Sequence, residues 1–193
     1  RLLGVAYGPE PGCRNEHYHA VAADAAASAA LPAAIEAQRP HCDSFNLQRG
    51  YRYASAALAG APPLIPASDI DISRYEPSWE VGAHLPHRWV SRGGERVSLL
   101  SLRDPARFSL LAGPAASAWR KAADGFGLHT ISSGCDFTDE DDWSALTGLP
   151  ADGALLIRPD GHIACRFDEA DDAPRQLARV MGSLLSLSAF APA

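Results

Sequence analysis

The clearest pattern lies between residues 96 and 185, where short apolar runs alternate with stripes at helical spacing, each bounded by turn residues. In "RFSLLAG" (107–113), Phe108, Leu110 and Leu111 predict a buried strand that ends at Gly113-Pro114. A helix is expected from 114 to 125. Pro114 suits its first turn, where a missing amide removes no hydrogen bond. Trp119, Ala122, Ala123 and Phe126 recur at three- and four-residue steps, and Gly125 and Gly127 mark the end. "LHTIS" (128–132) reads as a second strand. Thr138 is a fitting N-cap for "DEDDWSAL", whose early acids suit the positive end of the helix dipole, and that short helix should stop at Gly148. In "GALLIRPDGHIACRF", Ala154 to Arg158 and His162 to Phe167 are two strand-like runs. Pro159-Asp160-Gly161 joins them, with proline fixing φ and glycine accepting positive φ, so the two strands should be antiparallel. Pro174 opens a last helix in which Leu177, Val180, Met181, Leu184 and Leu185 form one stripe that should cover a sheet face. Upstream, "RVSLLSL" (96–102) predicts a strand following the hairpin turn Arg92-Gly93-Gly94-Glu95.

The texture differs before residue 79. "AVAADAAASAALPAAIEAQRPHCDSF" favours helix on alanine content, in two pieces interrupted by Pro32 and stopped near Pro40. Faces made mostly of alanine bury little area, so this part has a thin core of its own. "LQRGYRYASAAL" (47–58) reads as a strand. The following stretch is dense in proline and should be extended or loop-like. The expected division is a helical and extended segment 1–60, a proline-rich linker 61–78, and an α/β domain 79–193.

Strand, helix, strand, helix, hairpin, helix is the thioredoxin topology: a central mixed sheet flanked by helices, with early strands parallel and the hairpin antiparallel at the edge. The composition agrees with a globular fold, at 47% hydrophobic and 21% charged residues. A net charge of −6 with no dense Lys/Arg stripe argues against a nucleic-acid partner. No apolar run approaches the roughly 20 residues that span a bilayer, and "RLLGVAYGPEPG" lacks the features of a signal peptide, so no membrane is expected and the expected location is cytoplasmic.

Candidate chemistry is sparse. A thioredoxin-like redox site needs a thiolate at the start of the helix after its first core strand, where backbone amides lower the thiol pKa. Here those positions hold Pro114, Ala115, Ala116 and Ser117. Cys13, Cys42, Cys135 and Cys165 are scattered, without CxxC or zinc spacing. Cys135, among acids that would raise its pKa, leaves a thiol oxidoreductase as an alternative; Cys165 reads as a packing residue. Asp136, Asp139, Glu140, Asp141 and Asp142 lack the spacing of a calcium loop and read as helix-terminus electrostatics. His84 and His87 in "GAHLPHRW" read as structural, Ser109, Ser117 and Ser132 lie in no GxSxG context, and no GxGxxG or Walker loop is present. Tyr51, Arg52 and Tyr53 are residue types that anchor interfaces; an ordinary sheet edge with half-buried tyrosines is the equal alternative. A non-enzymatic interaction module therefore stays open.

The ordered motifs "IEAQ...FNLQRGYRYASAAL", "YEPSWEVGAHLPHRWV", "FSLLAG...W..AA" and "GALLIRPDGHIACRF" resemble the C-terminal part of the flavin-dependent class A aromatic hydroxylases, the phenol, 2,4-dichlorophenol and polyketide monooxygenases, over about residues 35 to 190. Residues 1–34 match nothing nameable. The resemblance implies a parent enzyme that binds FAD, takes hydride from NADPH and inserts oxygen into a phenolic ring. It implies that this domain keeps the thioredoxin shape without the cysteine pair and serves domain packing or subunit association. Its partners would be the FAD and substrate domains, which residues 1–60 would face, with a homodimer as a further possibility. The family's FAD-binding GxGxxG, DG and GD motifs are absent from these residues, so no catalytic, cofactor-binding or metal residue is assigned. The isolated chain is expected to be colourless and inactive.

Overall fold

The computed structural model describes residues 19, 20, 23–53 and 71–185. They fall into two compact units, one of residues 19–48 and 71–75, the other of residues 49–53 and 76–185.

The first unit is built of short helices: α1 (Ala25–Ser28), α2 (Leu31–Glu36), α3 (Arg39–Cys42) and α4 (Phe45–Arg49), whose last residue belongs to the second unit. Here the two prolines act opposite to expectation. Pro32 and Pro40 stand in the first turns of α2 and α3, so each starts a helix rather than interrupting or stopping one. The reason is that a first-turn amide has no partner to lose. The strand expected over 47–58 is also corrected, because residues 47–49 complete α4 and only 51–53 are extended. Positions 54–58 lie outside the described residues, as do residues 61–70 of the linker. Residues 71–72 are fastened to α4. The amide of Asn46 donates to the Ile72 carbonyl at 3.0 Å, its side chain donates to the Asp71 carbonyl at 2.6 Å, and Phe45 packs edge-on against Tyr75 at 5.2 Å.

The second unit carries a two-stranded hairpin, β1 (Trp89–Arg92) with β2 (Glu95–Ser98), and a four-stranded sheet. The sheet strands are β3 (Ser109–Ala112), β4 (His129–Ser132), β5 (Ala154–Ile157) and β6 (Ile163–Phe167), in the order β4-β3-β5-β6. β3 and β4 are parallel and β5–β6 antiparallel, the directions expected from helix-separated strands followed by a hairpin, and β3–β5 is antiparallel as well. α5 (Ser117–Asp124) joins β3 to β4, α6 (Trp143–Thr147) follows β4, and α7 (Ala173–Leu184) follows β6.

Both faces of this sheet are buried, which explains why β3 and β5 are apolar at every position except Ser109. One face packs Leu110, Ala112, Ala154 and Leu156 against Trp119, Ala122 and Ala123 of α5 and Leu177, Val180 and Met181 of α7. The other packs Leu111, Leu155, Ile157 and Ile163 against Val90, Leu99, Leu102, Phe137, Trp143 and Leu149. Leu185, expected in the α7 stripe, is exposed because the helix ends at Leu184.

Three boundaries differ from expectation. β2 stops at Ser98, whose hydroxyl accepts from the Leu100 amide and starts a 3-10 helix at Leu99–Leu102, so the predicted strand over 96–102 is half helix. α5 begins at Ser117 instead of 114, since the Ala115 amide is drawn to the Ala151 carbonyl at 2.9 Å. Asp142 replaces Thr138 as the N-cap of α6, accepting from the amides of Ser144 and Ala145. Thr138 is occupied by a backbone bridge to Ser91, 2.8 Å in both directions.

Candidate functional site

The hairpin turn between β5 and β6 closes with the Gly161 amide on the Arg158 carbonyl at 2.9 Å, and Gly161 takes φ +93°. Two further segments add to the edge of the sheet beside it. Residues 82–85 pair with the start of β6: the Gly82 amide donates to Ile163, Ile163 to Ala83, and Leu85 to Gly161, at 2.8 to 2.9 Å. Residues 52–53 pair in turn with 82–83, through the Arg52–Ala83 bridge and the Tyr53 amide on the Gly82 carbonyl at 2.9 Å. An otherwise open sheet edge is thus covered twice.

This layering gathers a cluster around His162. Alternation along 51–53 puts Tyr51 and Tyr53 on one side, where their rings lie 5.1 and 4.7 Å from the His162 ring and 5.4 Å from each other. His84 meets His162 edge-on at 5.2 Å. Gly161 has to lack a side chain here, since a Cβ would come within 2.6 Å of His84 Nε2 and 3.3 Å of Arg103 Cζ. Arg158 lies over Tyr53 at 5.2 Å and pairs with Asp160 at 2.8 Å. Arg103 donates to the Pro159 carbonyl at 3.1 Å, and Arg49 Nη1 stands 3.4 Å from His84 Nε2.

His162 is only 3% exposed, and neither ring nitrogen makes a hydrogen bond. Nδ1 is 3.3 Å from Asp160 Oδ1, close enough for ionic attraction but not aligned as a bond, and Asp160 instead accepts from the His162 amide. Burial lowers the pKa of His162 against the opposing pull of Asp160, and burial likewise lowers that of His84. For Asp160, burial acts to raise the pKa, but the His162 amide and Arg158 outweigh it and the net shift is downward. The Tyr51 hydroxyl is shifted upward by its bond to Tyr53 and by burial. The cluster is therefore neutral aromatic rings rimmed by guanidinium groups.

The other candidates separate. At the head of α5, where a redox thiol would stand, the loop 150–153 closes over the backbone: Gly113 donates to Gly153 and Ala115 to Ala151, both at 2.9 Å, and the Trp119 indole donates to Asp152 at 2.8 Å. Cys135 is exposed in the turn after β4, while Cys165 is buried, with its thiol pushed up to about 11 by burial. Cys42 is exposed and Cys13 lies outside the described residues. The acidic run has three separate tasks. Asp136 accepts from the Ser132 amide and from Arg120, Asp139 and Asp141 hold Arg88, and Asp142 caps α6. Among the described residues no group of three His, Cys, Asp or Glu could hold a metal ion. His87 packs on Trp89 at 4.9 Å, and Ser109 is buried, accepting from the Asp104 amide. The sequence had put His84 and the tyrosines forward separately. It did not flag His162, Arg103, Arg49 or Arg158, because "RPDGH" reads as turn chemistry alone; the available signal was a histidine at an inward-facing strand position.

The described residues thus form a helix-flanked mixed sheet with a covered helix start and an aromatic–guanidinium cluster at one edge. Residues 78–186 match the model of the aromatic-ring hydroxylase C-terminal family, and the chain belongs to that family. It is 37% identical over 169 residues to tetracenomycin A2 monooxygenase-dioxygenase of Streptomyces glaucescens, covering 81% of this chain and 29% of that enzyme. It is 36% identical over 168 residues to 2,4-dichlorophenol 6-monooxygenase of Delftia acidovorans, covering 79% and 29%. The chain thus spans under a third of these relatives. Among solved structures, the flavin-dependent monooxygenase PieE in complex with FAD and substrate aligns with a TM-score of 0.69 at 29% identity, covering 95% of this chain and 35% of that one.

Proposed function

We propose that this chain is the C-terminal domain of an FAD-dependent aromatic hydroxylase, that it has a thioredoxin-like shape without thioredoxin chemistry, and that its role is domain packing and association. The parent would take hydride from NADPH and oxygenate a phenolic ring. The observation that carries the reading is the family match over 78–186, supported by relatives and a structural neighbour that are monooxygenases. The covered start of α5 supports a scaffold: its first amides are committed to the 150–153 loop instead of to a thiolate. FAD and the reacting ring would be held by residues outside this chain, because the described residues offer no glycine-rich turn on which a pyrophosphate could rest.

The test is direct. The purified chain, mixed with FAD and passed through a desalting column, is expected to emerge colourless and to leave NADPH unoxidised in the presence of a phenol. Stoichiometric flavin retained by the chain would overturn the placement of the flavin site elsewhere.

A further inference from the structure

Tyr51 and Tyr53 are each 41% exposed, yet they are not loosely held. Their segment is pinned through the Tyr53 amide to Gly82, and their rings rest on the buried His162. Gly82, with φ +86°, makes that approach possible, since a Cβ there would come within 2.1 Å of the Tyr53 carbonyl oxygen. Three guanidinium groups surround the face. Asp160 is the carboxylate that faces Arg103 and His162, and it is paired with Arg158. The face is therefore cationic on a chain whose net charge is −6, and Arg103 Nε is buried there without a partner.

We propose that this face is where the rest of the hydroxylase chain docks, with a carboxylate of an Asp or Glu received among Arg49, Arg103 and Arg158 beside the two tyrosine rings. The proposal rests on the reading that this chain is the terminal part of a longer flavoprotein. Rigid tyrosines and arginines are the side chains that concentrate binding energy at interfaces, and a guanidinium fork matches a planar carboxylate. The chain spans 29% of two of its relatives, so most of an enzyme of that kind would lie outside it and supply the partner surface. A second copy is the poorer occupant. A two-fold contact through this face would set the same excess of positive charge against itself.

The experiment uses the full-length hydroxylase with a photo-crosslinking phenylalanine, p-benzoylphenylalanine, in place of Tyr53. The expected product is an intramolecular crosslink to an Asp- or Glu-bearing segment of the flavoprotein part. A crosslinked dimer joined at residue 53, or a residue 53 that stays free and solvent-accessible, overturns the proposal. In the same enzyme, Arg49→Gln with Arg158→Gln should weaken docking roughly tenfold or more, read as faster protease cutting between the two parts. The 193-residue chain carrying both changes should keep its urea midpoint, which separates lost docking from lost folding. If the longer gene product holds no flavin-binding part, the functional reading fails; if it holds flavin and residue 53 crosslinks elsewhere, only the docking surface fails.

Discussion

Cys165 shows how burial overrules composition at a single residue. It lies on β6 inside the sheet core, and loss of solvent around the thiolate pushes its pKa to about 11, so at pH 8 nearly all of it is protonated and unreactive. Cys42 and Cys135 are exposed. Maleimide labelling of the folded chain at pH 8, mapped by mass spectrometry, is expected to modify Cys42 and Cys135 and to reach Cys165 only after denaturation. Labelling of Cys165 in the native chain would contradict the packing described here. Trp119 is the matching case for an aromatic residue. It is fully buried, with its ring 4.5 Å from Phe167 and its indole donating to Asp152, so both its apolar body and its polar tip are used. The sequence exposed its helical spacing; the loop carbonyl that satisfies it lies 33 positions away and left no local trace.

The elements that the sequence marked well are those with strong local chemistry. β3, β4, the β5–β6 hairpin and α7 all stand within a few residues of their expected limits, because apolar runs, a Pro-Asp-Gly turn and a first-turn proline act locally. The elements that shifted were decided by distant partners. Thr138 is drawn into pairing with Ser91, which leaves capping to Asp142, and 51–53 becomes extended only because 82–83 lies alongside. Gly82→Ala tests that last dependence. With φ +86° and the Tyr53 carbonyl oxygen 2.1 Å from the new Cβ, alanine cannot be accommodated with the pairing intact, and the 51–53 segment has to leave its seat. Limited trypsin digestion is expected to cut after Arg49 or Arg52 at least tenfold faster than in the parent chain while the sheet stays resistant. An unchanged cutting rate would mean that the segment is held by something other than this pairing.

At the scale of the whole molecule, acid sensitivity should arrive in two stages. His84 and His162 have pKa values lowered from 6.5 by burial, so below pH 6.5 the unfolded chain binds more protons than the folded one. The stability contributed by their neutral rings is complete above pH 6.5 and is lost as the pH falls through their folded values. The charges that face His162 are Asp160, which favours its protonation, and Arg158, Arg49 and His84, which oppose it. Asp139 and Asp160 follow at lower pH. Burial tends to raise them, but Arg88 for Asp139 and the His162 amide for Asp160 hold them below 3.8, so their contribution is present above 3.8 and fades as the pH falls through the folded values. Urea unfolding from pH 7.5 to 5 should show declining stability, and His162→Phe should flatten that decline. The substitution removes two buried nitrogens that have no partners, so the variant is expected to fold. An identical pH profile in the variant would show that His162 does not titrate on unfolding.

The sequence by itself determined the α/β class, the order of strands and helices from 107 to 185, the directions of the β3–β4 and β5–β6 pairs and the family resemblance, because these rest on periodicity, turn residues and ordered motifs that are local or read in register. Tertiary structure alone decided where Ser91, Thr138, Asp142 and residues 51–53 find their partners, and it alone brought Arg49, Arg103, Arg158, His84 and His162 around two tyrosines. Those residues come from four stretches of chain between positions 49 and 162, and only strand pairing across the sheet edge sets them within a few ångströms of each other.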